Sequence, residues 1–177
     1  MTTEPISGYD IKASLSTVQI HFWNAKLAQI YPALKKLEQD GLLKSKTEKS
    51  SKGPSRKTYQ RTKKGTKSLT NWLLSSPELG VARLPYLSQI FFLNDLHDHQ
   101  KSLVIFNDLL LKLEQQLLII EKIENQWREE TKNYPDSLPD DEFYKQLTVE
   151  SGRMVYQTRI EWCRFCIKKI SNRINTQ

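Results

Sequence analysis

The side chains best suited to chemistry lie along Gln29-Ile-Tyr-Pro-Ala-Leu-Lys-Lys-Leu-Glu-Gln-Asp-Gly41 and just before it, at Asn24 and Lys26. An amide such as Gln29 can pair with both edge groups of adenine in a major groove, and an ammonium such as Lys26 can donate to guanine. Tyr31 and Lys35 suit phosphate oxygens, which fix a helix in place without reading sequence. A second basic set follows, Lys52, Arg56 and Lys57 with Tyr59, suited to the flanking backbone or the minor groove. Taken singly, each lysine is a solvated charge. Their clustering on one helix and the segment after it points to a polyanion, here double-stranded DNA.

Other chemistry is poorly supplied. The six glycines never cluster into a phosphate loop, and no nucleophile stands at a useful spacing from a base. No catalytic residue, metal or cofactor is therefore expected. Cys163-Arg-Phe-Cys166 sits inside a helical register, has no second cysteine pair, and is not brought near His97 or His99 by any spacing. Two packed cysteines are the first reading and a redox sensor the second. His21 reads as a packed turn residue. Tyr86, Phe91, Phe92, Phe106 and Trp127 could line an effector cavity, although aromatics at helical spacing are usually core.

The elements that must position these groups follow from periodicity. Ile30, Leu34 and Leu37 stand at i, i+4 and i+7, one buried helical face, and Asp40-Gly41 supplies the stop. Pro32 requires the helix to start shortly before it or to bend there, and Asn24 is the expected N-cap. Upstream, Ser7-Gly-Tyr-Asp10 has the spacing of a capped helix start, with Tyr9, Ile11, Leu15 and Val18 on its inner face. Downstream, a polar tract centred on Gly53-Pro54 leads to Lys57-Thr-Tyr-Gln-Arg-Thr62, which alternates as a strand would. The tract reads as a β-hairpin wing, or else as a linker. A further helix carries Leu69, Trp72 and Leu73 on one face and ends by Pro77.

Beyond Pro77 a short helix over 84–96 places Leu87, Ile90, Phe91 and Asn94 inward. A long one over about 100–132 carries Leu103, Phe106, Leu110, Leu113, Leu117, Ile120 and Trp127 in steps of three and four, interrupted at Glu124. Leu109, Leu111, Leu118, Ile119 and Ile123 widen this stripe beyond what one partner helix covers. After Tyr134-Pro-Asp-Ser-Leu-Pro139, a last helix carries Tyr156, Ile160, Cys163, Ile167, Ile170 and Ile174, so the two long helices form an antiparallel hairpin.

Charge divides the same way. Residues 1–76 hold 14 Lys and Arg against 5 Asp and Glu, whereas residues 77–177 hold 13 against 15. A basic N-terminal half thus joins a nearly neutral one. No run is long enough to span a bilayer and the start lacks a signal peptide, so a cytoplasmic location without membrane contact is expected.

Gly8-Tyr-Asp-Ile11, Phe22-Trp23, Gln29-Ile-Tyr-Pro-Ala-Leu34, Leu37-Glu38, Gly41-Leu42, Arg56-Lys-Thr-Tyr59 and Thr62-Lys-Lys-Gly65, in this order, resemble the PadR family of bacterial transcription regulators. The C-terminal arrangement resembles the longer members related to virulence-gene activators. The resemblance implies a mainly α fold: a winged helix-turn-helix with a small β-hairpin wing over 1–76, then an α-helical hairpin dimerisation domain over 77–177. It also implies a homodimeric regulator, usually a repressor, on a pseudo-palindromic operator. The dimer would be held by Leu103, Phe106, Leu110, Leu113, Leu117, Ile120, Trp127, Ile160, Cys163, Ile167 and Ile170. Some members sense phenolic acids or lipophilic drugs, which implies a small aromatic effector. The family carries a full helix before the Gly-Tyr-Asp element, where this sequence offers six residues before Ser7. A second reading is therefore a protein–protein interaction module with weakened DNA binding.

Overall fold

A computed structural model of the chain describes residues 5–18, 26–48, 56–80 and 82–176. Asn24, Lys52, His21, Phe22-Trp23 and the Gly53-Pro54 tip lie outside the described residues, as do the side chains of Leu15 and Val18. The chain forms two units, Met1–Leu79 and Gly80–Gln177. Among the described residues no helix is long and apolar enough to cross a membrane.

In the first unit, strand β1 (Ile6–Ser7) runs directly into helix α1 (Gly8–Val18). Asp10 N donates to Ser7 Oγ at 3.2 Å and Ser7 Oγ donates to Asp10 Oδ2 at 2.7 Å, so the Ser-x-x-acid spacing does cap this helix. Helix α2 (Leu27–Gln39) has its N-cap at Lys26 rather than at Asn24, because Gln29 Oε1 reaches back to accept from Lys26 N at 3.0 Å. Pro32 falls past the first turn of α2 and forfeits the bond that its N–H would have made to Ala28 O. At the far end Gly41 takes φ +70°, and Leu42 N donates to Leu37 O at 2.9 Å, closing the helix.

Strands β2 (Leu43–Glu48) and β3 (Arg56–Arg61) form the expected antiparallel hairpin, with Ser45 opposite Tyr59. The sheet has a third strand that no sequence pattern announces: β1 pairs with the other edge of β3, Ile6 opposite Tyr59, giving the order β1-β3-β2. The inner face of this sheet and the helices close around Ile11, Ile30, Leu34 and Tyr59, with Ile6 and Leu43 packed against them. Burying each of these aliphatic side chains stabilises the unit by about 1.5–3 kcal/mol. Tyr9 and Leu37, both expected inside, are exposed. Helix α3 (Lys63–Leu73) follows, its Trp72 and Leu73 exposed and Leu69 half-buried.

The second unit begins with α4 (Pro85–Phe91) and a 3-10 turn over Leu93–Leu96. The single helix expected over 84–96 is therefore broken at Phe92. Ile90 and Leu93 pack against the hairpin core, while Leu87 and Phe91 are exposed. Helix α5 (His99–Glu130) is capped by the Asp98 carboxylate, which accepts from Lys101 N at 3.0 Å. Helix α6 (Asp140–Asn175) opens with Asp140, Asp141 and Glu142 at its positive end and returns antiparallel along α5.

This pairing places the residues expected to hold a dimer in the seam of the chain's own hairpin. Phe106, Leu113, Ile160 and Cys163 form one buried cluster between α5 and α6, with Leu110, Leu117, Ile167 and Ile170 packed against it. Ile120 is buried as well, and Leu103 and Trp127 are half-buried. The buried part of this seam is filled by the chain's own hairpin, and the half-buried residues keep part of their surface.

Candidate nucleic-acid interface

Helix α2 divides cleanly. Ile30 and Leu34 are buried, and Lys26, Gln29, Tyr31, Lys35 and Lys36 face outward. Lys36 stands exposed beside Lys35. The amphipathic period indicates this directly, because Lys36 adjoins Lys35 and lies off the Ile30–Leu34 stripe. Two of the expected DNA-facing side chains are less free than their types suggest. Gln29 spends its carbonyl oxygen on the helix N-terminus. Tyr31 lies against α1: a Cβ on Gly8 would stand 2.8 Å from Tyr31 Cε1, so the glycine of the Gly-Tyr-Asp element makes room for that ring.

The wing residues are tied down. Arg56 pairs with Asp10 on α1, and Lys57 Nζ donates to Glu38 Oε2 on α2 at 2.8 Å. Glu38 also accepts from Ser45 Oγ. The hydrogen bond from Ser7 and then the Arg56 guanidinium hold the Asp10 carboxyl below its ordinary range. Glu38 is lowered by Lys57 first and Ser45 second, and Lys57 is raised by Glu38 in return. These pairs are partly open to solvent, so they add little stability. They link β3 to α1 through Asp10 and to α2 through Glu38. Tyr59, expected near DNA, is instead a core residue at 6% exposure, because its parity on β3 turns it toward Ile30 and Leu34.

Cations beyond the assigned set also lie in this unit. Lys44 and Lys46 stand on the exposed side of β2, opposite Gln60 and Thr58, beside a hollow of about 310 Å³. Lys64 Nζ donates to Asp40 O at 2.7 Å, and Thr62 Oγ1 donates to Gly41 O at 2.8 Å, so the N-terminus of α3 is latched to the turn after α2. The result is a basic helix face with an open outer surface, latched at its exit by α3 and braced through Glu38 and Asp10. Such a surface can place several ammonium groups on phosphates while a few side chains reach base edges.

In the second unit, Cys163 is fully buried and its thiol donates to Phe106 O at 3.3 Å. Burial pushes its pKa up to about 11, and burial raises Cys166 as well. At pH 8 only about one thiol in a thousand would be thiolate at Cys163, which makes it inert rather than redox-responsive. A thiol-specific alkylating reagent at pH 8 is expected to modify half-buried Cys166 first and Cys163 only after denaturant is added, read by mass spectrometry. Rapid native modification of Cys163 would reinstate the sensor.

Phe106 is core and lies 6.0 Å from the Trp162 ring centroid, and half-buried Tyr86 lies 6.4 Å from it. Of the aromatics proposed for an effector, Phe91 and Phe92 remain exposed.

Residues 1–71 match the family described as transcriptional regulator PadR-like, and residues 83–171 match the virulence activator alpha C-terminal region. The negative transcriptional regulator PadR of Bacillus subtilis is 31% identical over 113 residues, which span 63% of this chain and 62% of that relative. The crystal structure of that protein with operator DNA matches with a TM-score of 0.76 at 26% identity, covering 94% of this chain and 92% of the other. Its structure with p-coumaric acid matches at 0.72 and 26%, covering 94% and 91%. The Vibrio cholerae virulence activator AphA, at 19% identity and a TM-score of 0.71 over 96% and 92% of the two chains, shares the fold. With both halves matched in order, and with a winged helix and a helical hairpin in place, the chain belongs to the PadR-like family of transcriptional regulators, a family of regulators and not of enzymes.

Proposed function

We propose that the chain is a sequence-specific repressor that binds a pseudo-palindromic operator as a homodimer in the cytoplasm. Its DNA-binding domain would be residues 1–76 and its dimerisation domain residues 77–177. The observation that carries this reading is the outward face of α2, where Lys26, Gln29, Tyr31, Lys35 and Lys36 stand exposed over a buried Ile30–Leu34 stripe. The relative solved with operator DNA supports the same choice of partner. Two such helices, one helical turn apart, would enter successive major grooves. Lys35 and Lys36 hold phosphates, and Gln29 reads a base only by giving up its capping bond. A small aromatic effector belongs to this proposal, since that relative is also solved with p-coumaric acid.

One observation favours the second reading, a protein–protein module with weakened DNA binding. Arg56 and Lys57, which a wing would offer to phosphates, are paired with Asp10 and Glu38. Salt titration separates the two. Binding of DNA from upstream of the chain's own gene, followed by fluorescence anisotropy, is expected to weaken steeply with salt. Lys35→Ala with Lys36→Ala should flatten the log–log slope by about 0.9 for each phosphate no longer neutralised. Arg56→Ala should weaken binding less than this pair does. No preference for that DNA over random duplex at moderate salt would sink the autoregulatory repressor and leave the interaction module standing.

A further inference from the structure

The apolar seam of α5 runs through Phe106, Leu113 and Ile120, and its next position is Glu124, a carboxylate at 7% exposure. On α6, Gln146 is buried and lines the same cavity as Glu124, and Val149 is fully buried. Beside this layer the hairpin opens into a cavity of about 650 Å³, within the range of small-molecule sites. A charged group inside a helix–helix seam is costly unless well paired, and Glu124 has, among the described residues, a single cation within ion-pair distance, one it shares with Glu150. Its nearest cation is Arg153 Nε at 3.5 Å, long for a charge-assisted bond. Arg153 spends its other nitrogens elsewhere, on Glu150 at 2.6 Å and Gln157 at 3.1 Å.

We propose that this cavity is a binding site for a small organic cation, an alkylamine or guanidine, whose charged head pairs with Glu124. The walls carry three carboxylates, Glu121, Glu124 and Glu150, against two guanidiniums, Arg128 and Arg153, so an entering cation restores the balance and an anion worsens it. Arg128 is drawn aside over the Tyr134 ring, 5.6 Å from its centroid, and Tyr134 with Pro135 offers an apolar wall for an alkyl chain. A metal ion fits poorly, because among the described residues no three His, Cys, Asp or Glu side chains converge as a metal requires. Burial raises the Glu124 pKa despite Arg153, which accords with a carboxylate short of positive charge. The site lies within the α5–α6 hairpin and its connecting segment and does not depend on DNA binding.

The test uses the full-length protein with agmatine and putrescine as probes and p-coumarate as the anionic comparator. At a hundredfold excess over Kd, a bound cation should raise Tm by on the order of 5 °C and saturate. Calorimetry should show Glu124→Gln weakening the binding at least about tenfold, as removal of one charge-assisted pair does. Circular dichroism checks that this variant is folded. Glu121→Gln, at the half-buried edge, provides a second variant and should weaken binding less. Saturable binding abolished in Glu124→Gln supports the site. No saturable binding by the wild type, p-coumarate binding as well as agmatine, or full retention in Glu124→Gln would each overturn it. The last result would leave Glu124 as a register-fixing partner of Arg153.

Discussion

Gly65→Ala is expected to destabilise the N-terminal unit by about 3 kcal/mol, as overpacking against backbone does, and to abolish specific DNA binding at ordinary concentrations. A Cβ at this position would stand 2.1 Å from Leu42 O and 3.0 Å from Leu42 C, both backbone atoms of the turn that leaves α2. Flexible side chains can swing away from such an intrusion, but this carbonyl cannot. Leu42 O accepts from Thr62 N at 3.0 Å, and Thr62 Oγ1, which donates to Gly41 O, accepts from Gly65 N at 3.0 Å. Moving α3 outward breaks that cap, and moving the turn shifts both the end of α2 and the start of β2. The DNA-facing helix and the wing are therefore disturbed together. Thr62→Ala removes the cap hydroxyl without adding a clash and should cost only about 1 kcal/mol. Urea unfolding followed by far-ultraviolet circular dichroism compares the two. A Gly65→Ala midpoint within error of wild type would show that the α3–turn junction is looser than drawn.

The same junction shows what the sequence could and could not convey. Helix α2, strand β3 and the two long helices are legible because each buries a continuous stripe, and the stripe's period is local. Thr62-Lys-Lys-Gly65 is visible as a pattern, but its reason, a backbone approach to Leu42, requires the fold. Strand β1 is only Ile6–Ser7 and owes its existence to residues 58–59, so no local pattern marks it. Tyr59 shows the limit of alternation. The period is right, yet the flanking Lys57 suggests the wrong face, because Lys57 itself turns back to Glu38. The braces to Asp10 and Glu38 join positions 46 and 19 residues apart, and no spacing rule predicts such pairs. In α5 the periodicity establishes that a stripe is buried without saying by which chain.

That last ambiguity leads to the other large effect, in which Leu111→Glu combined with Leu118→Glu is expected to convert a dimer into a monomer of 20.7 kDa. Since Phe106, Leu113, Ile160 and Cys163 are enclosed by the hairpin, a second copy must use other surface. Val104, Leu111 and Leu118 recur every seven residues on α5 and are all exposed, with Ile119 beside them. On α6, Phe143, Leu147, Met154 and Phe165 share one face and are exposed as well. Exposed apolar residues repeated along one helix face are candidates for an interaction site, and a seven-residue repeat lets a neighbouring helix follow it. Two buried carboxylates without partners would cost far more than the leucine packing they replace. The hairpin itself should survive, because neither leucine belongs to its core. Lys112→Glu is the control: it sits between them in sequence but on the side where Lys112 pairs with Asp108, and should leave the dimer intact. Light scattering reads the mass directly, and a double variant still twice 20.7 kDa at micromolar concentration would exclude this face. DNA binding follows as a dependent readout. A monomer engages one half-site, forfeits the effective concentration that its linked partner supplies, and should bind the full operator weaker by about 10²–10⁴. Loss of the dimer with undiminished operator affinity would mean that a single winged helix carries recognition, and the symmetric arrangement would have to be given up even though the fold is unchanged.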